Sequence, residues 1–177
     1  MANRAAVILL LAPYAAPARW CARAQSPTFD EVQHVPAGHA MWTTARFDLG
    51  IEQVPLARLW MALPLLELPM ARPSADPFIP AVETRPSRWM IGNAFDYGHR
   101  FLYGANPLRA DLIILRARLA VVVLGVALGW LVYVGARSLG GPPGGLLALF
   151  LYALCPGFVA HGALATTDVA ASLAIVG

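Results

Sequence analysis

The chain has 177 residues, of which 58% are hydrophobic and 13% charged, with a net charge of +3, and its mean hydropathy is +0.59. Soluble domains carry about 25% charged residues, so this balance points to a membrane protein and away from a soluble globular enzyme. All thirteen cations are Arg and none is Lys; they form no basic run, which excludes a nucleic-acid partner, while the planar guanidinium suits phosphate. Cys21 and Cys155 lie too far apart in sequence to suggest a disulfide framework or a metal-ligand spacing.

The first apolar run is Ala5–Ala18, with Pro13 and Pro17 inside it. It reads either as a retained first helix (residues 1–24) or as a signal-like segment, with Arg4 as the basic start and Ala22-Arg23-Ala24 as the cleavage pattern. Either way the following segment, 25–117, is exported. At about ninety residues it is too long for a connector. Within it, "VPLARLWMALPLLELPM" (54–70) is apolar with sparse charge. It predicts a helix at the membrane interface rather than a further span, interrupted at Pro64. The stretch "ARPSADPFIPAVETRPSRW" is Pro-rich and irregular.

Leu119–Ala136 contains 18 residues without a charge. At 1.5 Å per residue it reaches roughly 27 Å, close to the hydrocarbon thickness of a bilayer. Arg137 and "LGGPPGG" predict a turn. A second uncharged run, from Gly144 to about His161, is expected to kink at Pro156 and Gly157. After Asp168 a third apolar run begins and reaches Gly177. The pattern is that of an all-α polytopic membrane protein, with residues 118–177 forming helices 2 and 3 and the start of a fourth. The most economical reading is an N-terminal piece of a longer chain. In this topology the 25–117 loop is outside and Arg137 inside. Arg116 and Arg118 then stand at the outer end of a span, against the positive-inside tendency.

Just past the first helix stands "SPTFDEVQH", with the adjacent carboxylates Asp30 and Glu31. Thr28-x-x-Glu31 fits a capping box, and acids are favoured in a helix's first turn. Alternatively, a carboxylate at a membrane surface serves as general base toward an acceptor hydroxyl. Asp168 in the next outer loop and Arg118 at the outer end of the span bring two acids and a guanidinium to one membrane face. That arrangement suits a lipid-linked phosphate. A transporter fits less well, because no charge lies inside the spans. His34 and His39 are five apart, which is poor metal spacing, and read as amphipathic surface; His99 and His161 have no partner at ligand spacing.

Four stretches, in order, resemble a known family. "SPTFDEVQHVPAGHAMW" resembles an Asp-Glu motif of a first outer loop. "FDLGIEQVPLARLWMALPLLELP" resembles a Glu-His-Pro-Pro-Leu motif. "FLYGANPLRADLIILRARLAVVVLGVALGWLVYVGARSLGG" resembles the approach to a second span, with its Arg. "ALCPGFVAHGALATTDVAASLA" resembles a second outer loop with its Asp. The family is the polyprenyl-phosphate-sugar-dependent membrane glycosyltransferases, family 39, related to protein O-mannosyltransferases and aminoarabinose transferases.

The resemblance implies the N-terminal part of a C-type glycosyltransferase fold in the plasma (inner) membrane, active on its outer face. It implies transfer of a sugar with inversion from a polyprenyl phosphate donor to an acceptor hydroxyl. Asp30 would be the general base, with Glu31 beside it and Asp168 assisting near the donor. Arg118 would contact the carrier phosphate, with Arg116 as its alternative and Glu52 on the substrate side. A divalent cation is compatible but not demanded, and the acceptor is not in the sequence. The sequence departs from the family at Gln53 and Val54, where the motif has His and Pro, and at Pro36, which is expected to interrupt the helix after the acidic pair; the family's later spans are missing. The competing expectation is a non-catalytic truncated membrane protein, or a subunit that binds lipid or a partner.

Overall fold

A computed structural model describes residues 2–45, 47–71 and 94–177. The predicted Pro-rich stretch lies almost wholly outside them. The described residues form α1 (Ala2–Ala24), α2 (Phe29–Thr44), α3 (Pro55–Ala62), α4 (94–99), α5 (Ala110–Leu154), α6 (Pro156–Gly162) and α7 (Asp168–Val176), without a strand among them. Short 3₁₀ turns cover Leu63–Leu65 and Pro107–Arg109, and α4 runs into a π-helical turn at Arg100–Ala105. Two helices are long and apolar enough to cross a membrane, over Ala5–Ala24 and Pro107–Leu154. The chain divides into two compact units.

The first unit holds α1, residues Val121–Leu164 and α7. Its long helical stretch is broken at Gly141, whose φ of 68° and ψ of −172° no helix can hold. Pro142 and Pro143 follow, so the amides that would continue the ladder are missing. This is the turn expected from "LGGPPGG". Beyond it the two arms pack antiparallel through small residues. A Cβ on Gly145 would stand 2.9 Å from the Tyr133 carbonyl oxygen, and one on Gly129 would stand 2.8 Å from the Tyr152 ring. The Tyr152 hydroxyl donates to the Gly125 carbonyl at 2.6 Å. Tyr14 of α1 fits a notch between Gly125 and Gly162, where either glycine's Cβ would collide with its hydroxyl. Close glycine contacts of this kind are how apolar helices pack where no hydrophobic gain separates protein from lipid. The break expected at Pro156 is also present, since Cys155 is extended and α6 starts at Pro156.

The second unit holds Ser26–Ala120 and Ala165–Thr167. At its centre is α2. Thr28 precedes it in an extended conformation, Asp30 and Glu31 occupy its first turn, and Ala45 ends it in the left-handed region at φ 53°. Every residue from Glu31 to Met41 is buried, so α2 is enclosed on all sides rather than amphipathic. Gly38 permits the approach of α3, because a Cβ there would lie 2.2 Å from the Arg58 carbonyl oxygen.

One expectation is corrected in this unit. Pro36 does not interrupt the helix, for α2 is continuous from Phe29 to Thr44. Proline at 36 releases the carbonyl four residues back, that of Val32. Gly98 of α4 presses against that oxygen so closely that a Cβ would be 1.7 Å away. The Cα–H of a glycine can contact such a freed carbonyl where an amide is absent. The interruption expected at Pro64 is present, since α3 stops at Ala62 and passes into the 3₁₀ turn Leu63–Leu65. One face of α3 (Ala57, Arg58, Met61, Ala62) is buried while Leu56 is 75% exposed.

Candidate functional site

Glu31 is the hub of the second unit and is wholly buried. Its Oε2 accepts from the Thr28 amide at 2.8 Å and the Thr28 hydroxyl at 3.0 Å. The first of these is the reach-back half of the capping box read from the sequence. The same carboxylate takes a fork from Arg118, with Nε on Oε1 and Nη2 on Oε2, both at 2.7 Å. The Ala165 amide adds a bond to Oε1 at 2.8 Å. A carboxylate offers about four lone-pair sites, so its acceptor capacity is filled. Burial pushes its pKa up, but the bonds from Arg118, Ala165 and Thr28 and the nearby positive charge outweigh burial and hold it below the usual glutamate range.

Arg118 is 1% exposed and also donates to the Ser26 carbonyl at 2.9 Å. The resemblance gives this guanidinium to a carrier phosphate; the geometry gives it to Glu31. Asp30, one residue earlier, is exposed and makes no hydrogen bond or ion pair among the described residues. The helix thus buries one acid of the pair and presents the other. The remaining candidates lie elsewhere. Arg116 donates to the Pro64 carbonyl at 3.1 Å and stands 3.8 Å from the exposed Glu67, so it fastens the end of the α3 segment. Glu52 is exposed, and its charge acts on Arg58.

Arg58 was not expected from the sequence. It is wholly buried, and its Nη1 donates to the Leu49 and Gly50 carbonyls at 2.6 and 2.7 Å. Its Nε points to His34 Nδ1 at 3.2 Å. Burial pushes its pKa down from the usual arginine value, and the Glu52 charge works the other way. With Nδ1 accepting, the His34 proton sits on Nε2. His34 and His39 are therefore not surface residues, being 3% and 6% exposed. Asn106 was also missed. It is 6% exposed, exchanges two 2.9 Å bonds with the Ala71 backbone, and donates to the Phe101 carbonyl.

In the first unit, Asp168 opens α7 and its Oδ2 lies 3.1 Å from His161 Nδ1. The sequence showed no ligand-spaced partner for His161; the turn between α6 and α7 brings it to Asp168 across seven positions. The pair borders a cavity of about 250 Å³ lined also by Leu128, Cys155, Phe158 and Val169. Among the described residues no group of three or more His, Cys, Asp or Glu could hold a metal ion.

Among the described residues the fold is all-helical with two candidate membrane-crossing helices, and a buried Arg–Glu pair has an exposed aspartate one residue before its glutamate. No protein family, curated protein or solved structure matches the chain.

Proposed function

We propose that the protein is a multi-pass membrane glycosyltransferase, or its N-terminal part, that uses a polyprenyl-phosphate sugar. The observation that carries this reading is the division of labour in the acidic pair. Glu31 is saturated by five donors and cannot accept a proton without breaking the hub. Asp30 is left exposed on a helix turn anchored by that hub. A rigidly mounted, accessible carboxylate is what a general base requires. In the step proposed, the acceptor oxygen attacks the anomeric carbon as Asp30 takes its proton. The bond from that carbon to the phosphate oxygen breaks, and the polyprenyl phosphate leaves with the electron pair. Arg118 serves this step by holding Glu31. The part proposed for Asp168 rests on the resemblance alone; within its own unit it pairs with His161 at an apolar cavity.

The test is sugar transfer from a polyprenyl-phosphate sugar by purified protein and by its Asp30→Asn variant. An amide cannot take the proton, so the rate should fall by about 10²–10⁴ while the melting temperature stays unchanged. Equal rates would remove Asp30 from the chemistry. One observation favours the non-catalytic alternative: Arg118, the expected phosphate ligand, is enclosed by protein partners.

A further inference from the structure

Four rings form a row beside the acidic pair. Phe29 stacks on Phe95 at 4.5 Å with an interplanar angle of 15°; Phe95 is followed by His99 at 6.4 Å and His99 by Tyr103 at 5.1 Å. The last three are spaced four residues apart, so they lie along one side of α4 and the π turn that continues it. Turns of this kind are uncommon and occur often at functional sites. Here the turn is fixed by Asn106, whose amide and side chain both bond the Phe101 carbonyl. Three of the rings are exposed, Phe29 at 59%, Tyr103 at 41% and His99, while Phe95 between Phe29 and His99 is half-buried. The row is flanked by exposed polar groups, Asp30 next to Phe29 and Asp96 and Arg100 next to His99. Tyr103 is also within electrostatic reach of the hub, its pKa raised first by burial, then by the charges of Asp111 and Glu31.

We infer that this row is a saccharide-binding platform, so that the acceptor in the proposed reaction is a neutral sugar hydroxyl. The second clause rests on the proposed function; the first does not. Flat rings stack on the C–H face of a pyranose, while carboxylates at the edge accept from its hydroxyls. A lipid surface fits less well, because Asp30 and Asp96 outnumber Arg100 and repel anionic headgroups.

The experiment is saturation-transfer NMR on the full chain in detergent micelles with maltotriose, cellotriose and chitotriose. At least one trisaccharide should receive saturation on its ring protons. Phe95→Ala should weaken its binding about tenfold, and Tyr103→Ala should do the same while Tyr103→Phe binds like the parent. Unchanged thermal melts establish that these variants fold, and Tyr103, being exposed, gives a second reading if Phe95→Ala does not. Failure of all three sugars to bind, or Tyr103→Ala and folded Phe95→Ala binding like the parent, overturns the inference. So does loss of binding to phosphatidylglycerol vesicles in the ring variants with sugar binding unchanged, which would assign the row to the membrane surface. Because binding is read without donor or turnover, sugar binding by a chain that transfers nothing would keep the platform and remove the catalytic reading. Transfer without saccharide binding would do the reverse.

Discussion

Glu31 and Arg118 show how far one residue's role depends on what surrounds it. Removing one member of a buried ion pair leaves the other charged and uncompensated, at a cost of about 3–5 kcal/mol. Glu31→Gln and Arg118→Met should each lower stability by that order, and the double variant should recover much of the loss in detergent melts. The pH dependence has a definite sign. The folded pKa of Glu31 lies below its unfolded value, so its contribution is complete above an unfolded pKa of about 4.3 and is lost as pH falls through the folded value. Melting temperature should therefore drop in acid below about pH 4, and Glu31→Gln should flatten that drop. The sequence showed both the cap and the catalytic reading of the acidic pair, and it picked out Arg118. It did not show that Arg118 meets Glu31, since 87 positions separate them. Arg58 and His34 escaped for the same reason: their pairing is set by how α3 lies on α2, and neither residue's local pattern carries it.

Helices were easier to read than their interruptions. The uncharged run, the glycine–proline turn and the break at Pro156 follow from length and backbone chemistry, which are local. Pro36 misled because a proline's cost depends on what happens to the carbonyl it frees, and Gly98 is 62 positions away from it. Gly98→Ala should push α4 off α2 and cost about 1–3 kcal/mol, as overpacking does. Gly104→Ala is the control, since a Cβ there meets nothing within 4 Å, and its melt should match the parent's. A Gly98→Ala protein as stable as Gly104→Ala would mean that the Val32 carbonyl does not need that contact.

For the whole molecule, the topology is open to direct measurement. With Cys21 and Cys155 replaced, single cysteines at the exposed positions Ile51 and Leu139 should react with an impermeant thiol reagent from opposite sides. Ile51 should label from outside and Leu139 only after permeabilisation; the reverse order would invert the proposed topology. The bond from the Ala165 amide to Glu31 has a consequence for synthesis. These two residues are 134 positions apart, and the stretch between them includes Val121–Leu164 of the other unit. At roughly 5–20 residues per second, a ribosome needs about 7 to 27 seconds between making Glu31 and making its last donor. During that interval an acid destined for full burial waits with its shell incomplete. The second unit is thus completed only by Ala165–Thr167, three residues made after Val121–Leu164 of the first unit.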